Sequence, residues 1–136
     1  MKKNFRSIVL LLFLLPLLVA MSSLQDQSPE KIPVPTKKYL ATLIDLTDVM
    51  TDCREVSIEG ATFLEGKRGN GSNSISFDNI SEIAFLQEGE KLTGTVKLKD
   101  GNAINLALNK NQKAYGRTKY GTFQIKLSEL KRLIFR

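Results

Sequence analysis

The chain has no histidine and only one cysteine, Cys53, among its 136 residues. Without histidine it lacks the commonest general base, the base of Ser–His and Cys–His nucleophile pairs, and the usual zinc ligand. One cysteine excludes an internal disulfide and a cysteine-rich metal site. These absences predict a protein that is not an enzyme and has no cofactor. Because a free cysteine packs as a small hydrophobe, we expect Cys53 to be buried, with an intermolecular disulfide as the alternative.

The chain also lacks the motifs that mark phosphate, calcium or glycan-cleaving sites. Gly69-Asn70-Gly71 is not followed by the Lys-Ser/Thr pair of a phosphate-binding loop. Asp45, Asp48 and Asp52 lack the spacing and the glycine of an EF-hand loop, so they predict a solvated turn rather than a calcium site. The glutamates are scattered, and no two are marked as a facing pair. A hydrolase acting on envelope glycan is therefore only a remote alternative.

Residues 1–22 have the pattern of a bacterial export signal. An apolar core, Ile8–Ala20, is followed by the small-x-small cleavage pattern Ala20-Met21-Ser22. The core is preceded by three basic residues, Lys2, Lys3 and Arg6. It is shorter than the roughly 20 residues that span a bilayer. We therefore expect a cleaved signal peptide and a periplasmic or secreted protein, with an uncleaved membrane anchor as the alternative.

The rest of the chain divides into a linker and one folded domain. Residues 23–38 are predicted to be a disordered linker, because three prolines stand among polar neighbours with little that can pack. Residues 39–136 are predicted to form a β-domain of about the commonest domain size. Within it we distinguish a first unit at 39–88 and a second unit at 89–136.

Two eleven-residue segments, 75–85 and 125–135, place apolar residues on the same five positions at an offset of 50. Steps of two at each end are typical of strands, whereas the two central steps of three are typical of one helical turn. Each segment is therefore predicted to form strand, turn and strand, with Asp78 and Ser128 as N-caps. The positions predicted to face the core are Ile75, Phe77, Ile80, Ile83 and Phe85, and Ile125, Leu127, Leu130, Leu133 and Phe135.

Strand and turn patterns fill the remainder of the domain. Leu92–Lys99 alternates apolar and polar residues, and Asp100-Gly101 indicates a two-residue type I′ hairpin. Gly66–Asn73 contains three glycines and two asparagines, which predicts a loop tip. The sequence thus predicts an all-β fold, a small antiparallel barrel or sandwich that follows an N-terminal signal helix. It is built from two similar units of roughly 45 residues, each too small to be stable alone.

The second part of the domain resembles a known group of proteins. The pattern Gly-x-x-x-Ile-x-[Leu/Phe]-x-x-[Ile/Leu]-x-x-[Ile/Leu]-x-Phe, preceded by a Val-x-Leu-x-Asp-Gly hairpin, resembles an element of small exported bacterial β-proteins of uncharacterised function. Its spacing of apolar residues is also similar to that of the closing strands of small barrels such as PRC-barrel domains. The resemblance is best over Leu92–Phe135. It implies a β-structure and carries over no functional residue.

Positive charge is concentrated near the end of the chain. Residues 109–136 contain eight basic residues and one acid, whereas residues 23–108 contain nine basic and thirteen acidic residues. A basic face attracts anionic partners such as lipid headgroups, acidic glycans or acidic proteins, and the export signal disfavours nucleic acid. A solvated face that only keeps the protein soluble is the alternative. The predicted surface combines a Lys110–Lys119 loop with three later residues and comprises Lys110, Lys113, Arg117, Lys119, Lys131, Arg132 and Arg136.

The leading hypothesis from the sequence is an exported, non-enzymatic β-domain that acts as a binding or accessory module at the bacterial envelope. Its partner is an anionic envelope component or another protein. A structural or self-assembling subunit is the alternative, with a homo-oligomer formed through exposed strand edges or through Cys53.

Overall fold

The computed structural model describes residues 31–136, and this part of the chain is all-β, as predicted. Ten antiparallel strands form one sheet that curls into half a barrel. The predicted signal peptide lies outside the described residues. The strands are β1 (Ala41–Asp45), β2 (Met50–Ile58), β3 (Phe63–Arg68), β4 (Gly71–Ser76), β5 (Ile80–Glu88), β6 (Lys91–Leu98), β7 (Ala103–Leu108), β8 (Lys113–Thr118), β9 (Gly121–Lys126) and β10 (Leu130–Phe135). Over residues 31–136 no helix is long and apolar enough to cross a membrane.

Across the sheet the strand order is β4-β3-β7-β6-β5-β10-β1-β2-β8-β9. Some neighbours are hairpins, but four pairs join distant parts of the chain: β1 with β10, β5 with β10, β2 with β8, and β3 with β7. β5 and β10 lie at the centre, where Ile83 pairs with Leu133. β4 and β9 are the two edges. The early and late parts of the chain therefore complete one sheet together.

Apolar side chains on one face of the sheet form the core. In β6 every second residue is buried, at Leu92, Gly94 and Val96, as strand geometry requires when one face is packed. Fully burying one Leu, Ile or Phe side chain contributes about 1.5–3 kcal/mol. The two eleven-residue segments supply much of this core. Their central apolar residues are each no more than 1% exposed: Phe77, Ile80, Ile83, Leu127, Leu130 and Leu133.

Each eleven-residue segment has a single 3₁₀ turn between two strands, at Phe77–Asn79 and at Leu127–Glu129. The predicted N-caps, Asp78 and Ser128, are wrong. Ser76 caps the first turn, since its hydroxyl accepts a hydrogen bond from the Asp78 backbone N–H at 3.2 Å. The second turn has no side-chain cap. The N-cap positions, Ser76 and Lys126, lie two residues before the predicted ones, so the predicted cap residues lie inside the turns.

Two connections also differ from the predictions. The hairpin between β6 and β7 is present, but Asp100 does not have the positive φ that a type I′ turn requires; Gly101 does, at 94°. The loop is longer, and the Leu98 N–H donates a hydrogen bond to the Asn102 carbonyl at 2.8 Å. The loop tip predicted at Gly66–Asn73 consists of only the two residues between β3 and β4.

Residues 31–40 precede the first strand and contain no strand of their own. Pro35 is nevertheless buried. The Asp78 carboxylate accepts hydrogen bonds from Lys37 Nζ at 2.6 Å and from the Tyr39 hydroxyl at 2.8 Å. These contacts attach the segment before β1 to the first 3₁₀ turn.

Candidate functional site

The basic residues predicted as an anionic-partner surface do not form one patch. Lys113–Thr118 is strand β8 rather than part of a loop, so its side chains alternate between the two faces of the sheet. Lys113 is half-buried, and its backbone N–H donates to Glu59 Oε1 at 2.7 Å. The remaining six residues fall into two groups, which differ in whether the cations lie apart or together.

In the first group each cation contacts an acid of its own. The Lys131 Nζ lies 2.6 Å from an Asp48 carboxylate oxygen, and the other two ion pairs are Lys110 with Glu90 and Arg132 with Glu82. A carboxylate in contact offsets the charge of each base, and exposed pairs of this kind contribute little energy. These three residues are therefore poor candidates for attracting an external anion.

In the second group three predicted cations meet at one open cavity of about 330 Å³, which we call the basic cavity. The register of β2 against β8 sets Arg54 opposite Arg117. The end of the chain is brought alongside because the Arg136 N–H donates to the Leu40 carbonyl at 3.0 Å. The basic cavity is lined by Leu40, Asp52, Cys53, Arg54, Arg117, Lys119 and Arg136.

Two carboxylates hold arginines of the basic cavity in place. Asp52 Oδ1 lies 2.9 Å from Arg136 Nη2 and accepts a hydrogen bond from the Thr42 hydroxyl at 2.7 Å. Glu55 Oε2 lies 2.7 Å from Arg117 Nε, and the Glu55 side chain is only 15% exposed. Asp52 lines the cavity, whereas Glu55 does not.

Cys53 forms part of the cavity wall and is buried, which confirms the favoured prediction. Burial and, to a smaller extent, the charge of Asp52 raise the pKa of the Cys53 thiol to about 11. The thiol is therefore protonated at neutral pH and is a poor nucleophile. Strand β8 passes so close that a Cβ on Gly116 would lie 2.6 Å from Cys53 Cβ, so a side chain there would displace one of the two strands.

The composition of the basic cavity suits the binding of an anion. Four cations and one carboxylate line it, and a second carboxylate, that of Glu55, contacts one of the cations. Guanidinium groups present planar forks of N–H donors that match the oxygens of phosphate and carboxylate groups. Leu40, which is 53% exposed, adds an apolar surface beside these charges. The cavity thus combines positive charge with directional donors.

The sequence alone does not predict that Arg54 belongs to the basic cavity. It lies in an acidic part of the chain and no local motif marks it, so a count of charge along the sequence passes over it. It belongs to the site because β2 pairs with β8, a contact between segments that are distant in the sequence. Knowledge of the register between β2 and β8 would identify Arg54, but the local sequence pattern does not specify that register.

The acidic cluster considered for calcium is a structural turn. Asp45 Oδ1 accepts hydrogen bonds from the Thr47 hydroxyl at 2.7 Å and from the Val49 N–H at 3.0 Å, which closes the β1–β2 loop. These bonds, that of Thr47 foremost, lower the pKa of Asp45. Asp48 and Asp52 form ion pairs with separate bases. Between residues 31 and 136 no three acidic or cysteine side chains are grouped so as to hold a metal ion.

A model of a family described as an uncharacterised protein matches residues 35–136. The match includes all ten strands and every residue of the basic cavity. No curated protein and no solved structure matches the chain.

Proposed function

The chain belongs to this family of uncharacterised proteins, and we propose that it is an exported, non-enzymatic β-domain that binds an anionic component of the bacterial envelope. The observation that carries the proposal is the convergence of Arg54, Arg117, Lys119 and Arg136 on one open cavity. Like charges gathered at one place repel one another, so their grouping favours a site that an anion occupies. Surface bases that serve only solubility have no need to converge.

The proposed location rests on the export pattern of residues 1–22, whose structure is not described. A periplasmic or secreted protein meets phosphate-bearing lipids and acidic glycans at the envelope, and both are anionic. A cleaved signal releases the domain, whereas an uncleaved one would hold it beside the membrane surface. The basic cavity serves the proposed function in either case.

Cosedimentation of the mature chain with vesicles tests this proposal. We compare zwitterionic phosphatidylcholine vesicles with vesicles that also contain phosphatidylglycerol, at low and at high salt. The test variant is R54E/K119E, since both side chains are exposed cavity residues. The matched control is K97E/K99E, which makes the same change in net charge on exposed lysines outside the basic cavity.

We expect the wild type and the control to be retained on anionic vesicles and released by salt, because salt screens charge. We expect the cavity variant to lose retention while keeping the wild-type melting temperature. Equal retention of the two double variants would show that net charge, rather than the basic cavity, governs binding. A wild type that binds neither vesicle would contradict a lipid partner, and acidic glycan would then be the ligand to test.

We also propose that the sheet consists of two similar five-strand units, β1–β5 and β6–β10. The strand bounds support this, since β3, β4 and the first 3₁₀ turn have counterparts in β8, β9 and the second turn, shifted by the same offset as the two eleven-residue segments. Strand pairing supports it as well. The pair β1–β10 has its counterpart in β6–β5, and the pair β2–β8 has its counterpart in β7–β3. In this arrangement each unit completes the sheet of the other, as units too small to be stable alone require.

A structural, self-assembling subunit is a second candidate function. It is favoured by the two edges of the sheet, β4 and β9, each of which has a neighbouring strand on one side only within residues 31–136. Unpaired edges are templates for strand addition. Light scattering across a range of concentrations tests it. A molar mass that rises with concentration supports assembly, and a constant monomer mass contradicts it.

A further inference from the structure

Glu55 has an unfavourable backbone conformation beside the basic cavity. Its φ of 55° lies in the left-handed region, which a residue with a Cβ adopts only where its surroundings impose it. It falls between Arg54 and Ser57, where the register of β2 against β8 shifts. Strand irregularities of this kind redirect a side chain, and backbone strain is concentrated at functional sites. The irregularity places Glu55 where its side chain contacts Arg117 of β8 beside the basic cavity.

The Glu55 carboxylate lies against an arginine of the cavity without lining the cavity itself. Its Oε2 contacts Nε of Arg117 at 2.7 Å, and its Oε1 lies 3.4 Å from the Lys38 Nζ. The contact to Arg117 is made at Nε, and the Arg117 side chain also lines the cavity. The guanidinium thus lies between a fixed carboxylate and the open cavity.

We propose that the basic cavity binds the dianionic head of a phosphate monoester, and that Glu55 is a positioning residue that orients Arg117 toward it. This inference rests on the proposed function, because it names the anion that the same cavity takes. Glu55 does not touch the ligand. It acts by holding one guanidinium in a single orientation, so that less freedom is lost when the ligand binds.

The number of charges and donors favours a monoester. A phosphate monoester carries about −1.5 to −2 charges at pH 7 and has three terminal oxygens. A phosphodiester and a carboxylate carry one charge and have two such oxygens. In the cavity the charge of Asp52 is already offset by Arg136. The charge of Arg117 is likewise offset by Glu55. Arg54 and Lys119 therefore remain, and their two positive charges exceed what a single negative charge would match.

Vesicles of equal surface potential test the ligand class. One set carries phosphatidic acid, a monoester, and the other carries enough phosphatidylglycerol, a diester, to give the same zeta potential. We expect the wild type to bind the monoester vesicles at least about tenfold more tightly, the effect of one charge-assisted hydrogen bond. Competition with inorganic phosphate distinguishes the sources. Release indicates that the phosphate group alone suffices, and retention indicates that the lipid around it is also needed.

E55Q tests the positioning role, because it removes the charge and keeps the size of the side chain. We expect it to lose the preference for monoester over diester while its melting temperature stays close to that of the wild type. NMR of the arginine Nε–H groups gives an independent readout. The chemical shift of the Arg117 Nε–H should change in E55Q, because Glu55 Oε2 lies 2.7 Å from Arg117 Nε, and it should stay unchanged in K97E/K99E.

The outcomes separate this inference from the proposed function. Equal binding to monoester and diester vesicles overturns the monoester inference and leaves anion binding intact. No binding to either overturns both. A monoester preference that survives in E55Q, with an unchanged Arg117 signal, overturns the positioning role. Loss of the preference together with a changed Arg117 signal supports both parts of the inference.

Discussion

Residues 41–90 and 91–136, here the first and second halves, each contain five strands but have opposite charge. The first half has three basic and ten acidic residues, a net charge of −7, and the second has eleven basic and two acidic residues, a net charge of +9. Five of the nine pairs of neighbouring strands join a strand of one half to a strand of the other, so unlike charges lie next to each other. The bases of the second half are therefore paired first of all with acids of the same molecule.

The ion pairs support this view. Of the seven ion pairs among residues 31–136, five join a base of the second half to an acid of the first, and the other two involve residues before β1. Two halves of like sign would repel when they pair, whereas these attract. What distinguishes the basic cavity is that the second half's cations there outnumber the acids they meet.

The largest expected effect on stability comes from truncating a buried side chain at corresponding positions of the two halves. Phe77 and Leu127 occupy the first position of each 3₁₀ turn and are buried. We expect F77A to lower the free energy of unfolding by about 3–5 kcal/mol and L127A by about 2–5 kcal/mol. Because the halves share one sheet, urea unfolding should show one transition in both variants.

The control for these variants is Y120A, at a side chain that is 90% exposed, which should change stability by less than about 0.5 kcal/mol. Two separate transitions in either core variant would contradict the interlaced arrangement. They would indicate that each half unfolds on its own, as an independent domain.

Local structure could be predicted from the sequence wherever one period dominates. Leu92–Lys99 was expected to alternate, and β6 spans Lys91–Leu98. The strand, turn and strand around Phe77 follow from the steps of two and three between apolar residues. The caps could not be predicted, because which of the short polar residues Ser76 and Asp78 bonds to the turn depends on where the first hydrogen bond forms. Propensity does not fix that point.

The strand order and the complete site could not be predicted, because both depend on pairing between distant segments. Nothing local states that β10 pairs with β1 and β5 at once. Three of the seven predicted cations lie in the basic cavity, while Arg54 enters only through the register of β2 and β8. The distribution of charge along the sequence identifies the basic residues, but it does not show which acids form ion pairs with them.

A smaller effect is expected from the ion pair at the centre of the sheet. Glu82 and Arg132 occupy equivalent positions in the two eleven-residue segments, flank the Ile83–Leu133 pair, and contact each other. Each single reversal, E82R or R132E, places like charges side by side and should destabilise the protein by about 1–2 kcal/mol. The double reversal E82R/R132E should recover most of the loss, with a coupling energy of about 1 kcal/mol by urea unfolding.

The double reversal tests whether the opposite charges of the two halves stabilise the sheet. Recovery in the double variant means that unlike charge matters and not which half carries which sign. If the double variant is as unstable as the sum of the single ones, packing of these two side chains decides the effect, and opposite charge is incidental at the centre of the sheet. The same reversal applied to Asp48 and Lys131, a more exposed pair, is the matched control and should have a smaller effect.

The smallest effect concerns Asp78, whose counterpart in the second half is Ser128. Hydrogen bonds from Lys37 and then from Tyr39 lower the pKa of Asp78 below its ordinary value of 3.8. A carboxyl with a lower pKa in the folded state stabilises the protein above the unfolded-state pKa, and this stabilisation is lost as the pH falls through the folded-state pKa. D78N should therefore be less stable than the wild type near neutral pH, and its free energy of unfolding should approach that of the wild type below pH 3.8. NMR titration of the Asp78 carboxyl carbon should show a higher pKa in K37A, and an unchanged pKa there would show that the segment before β1 does not act on this turn.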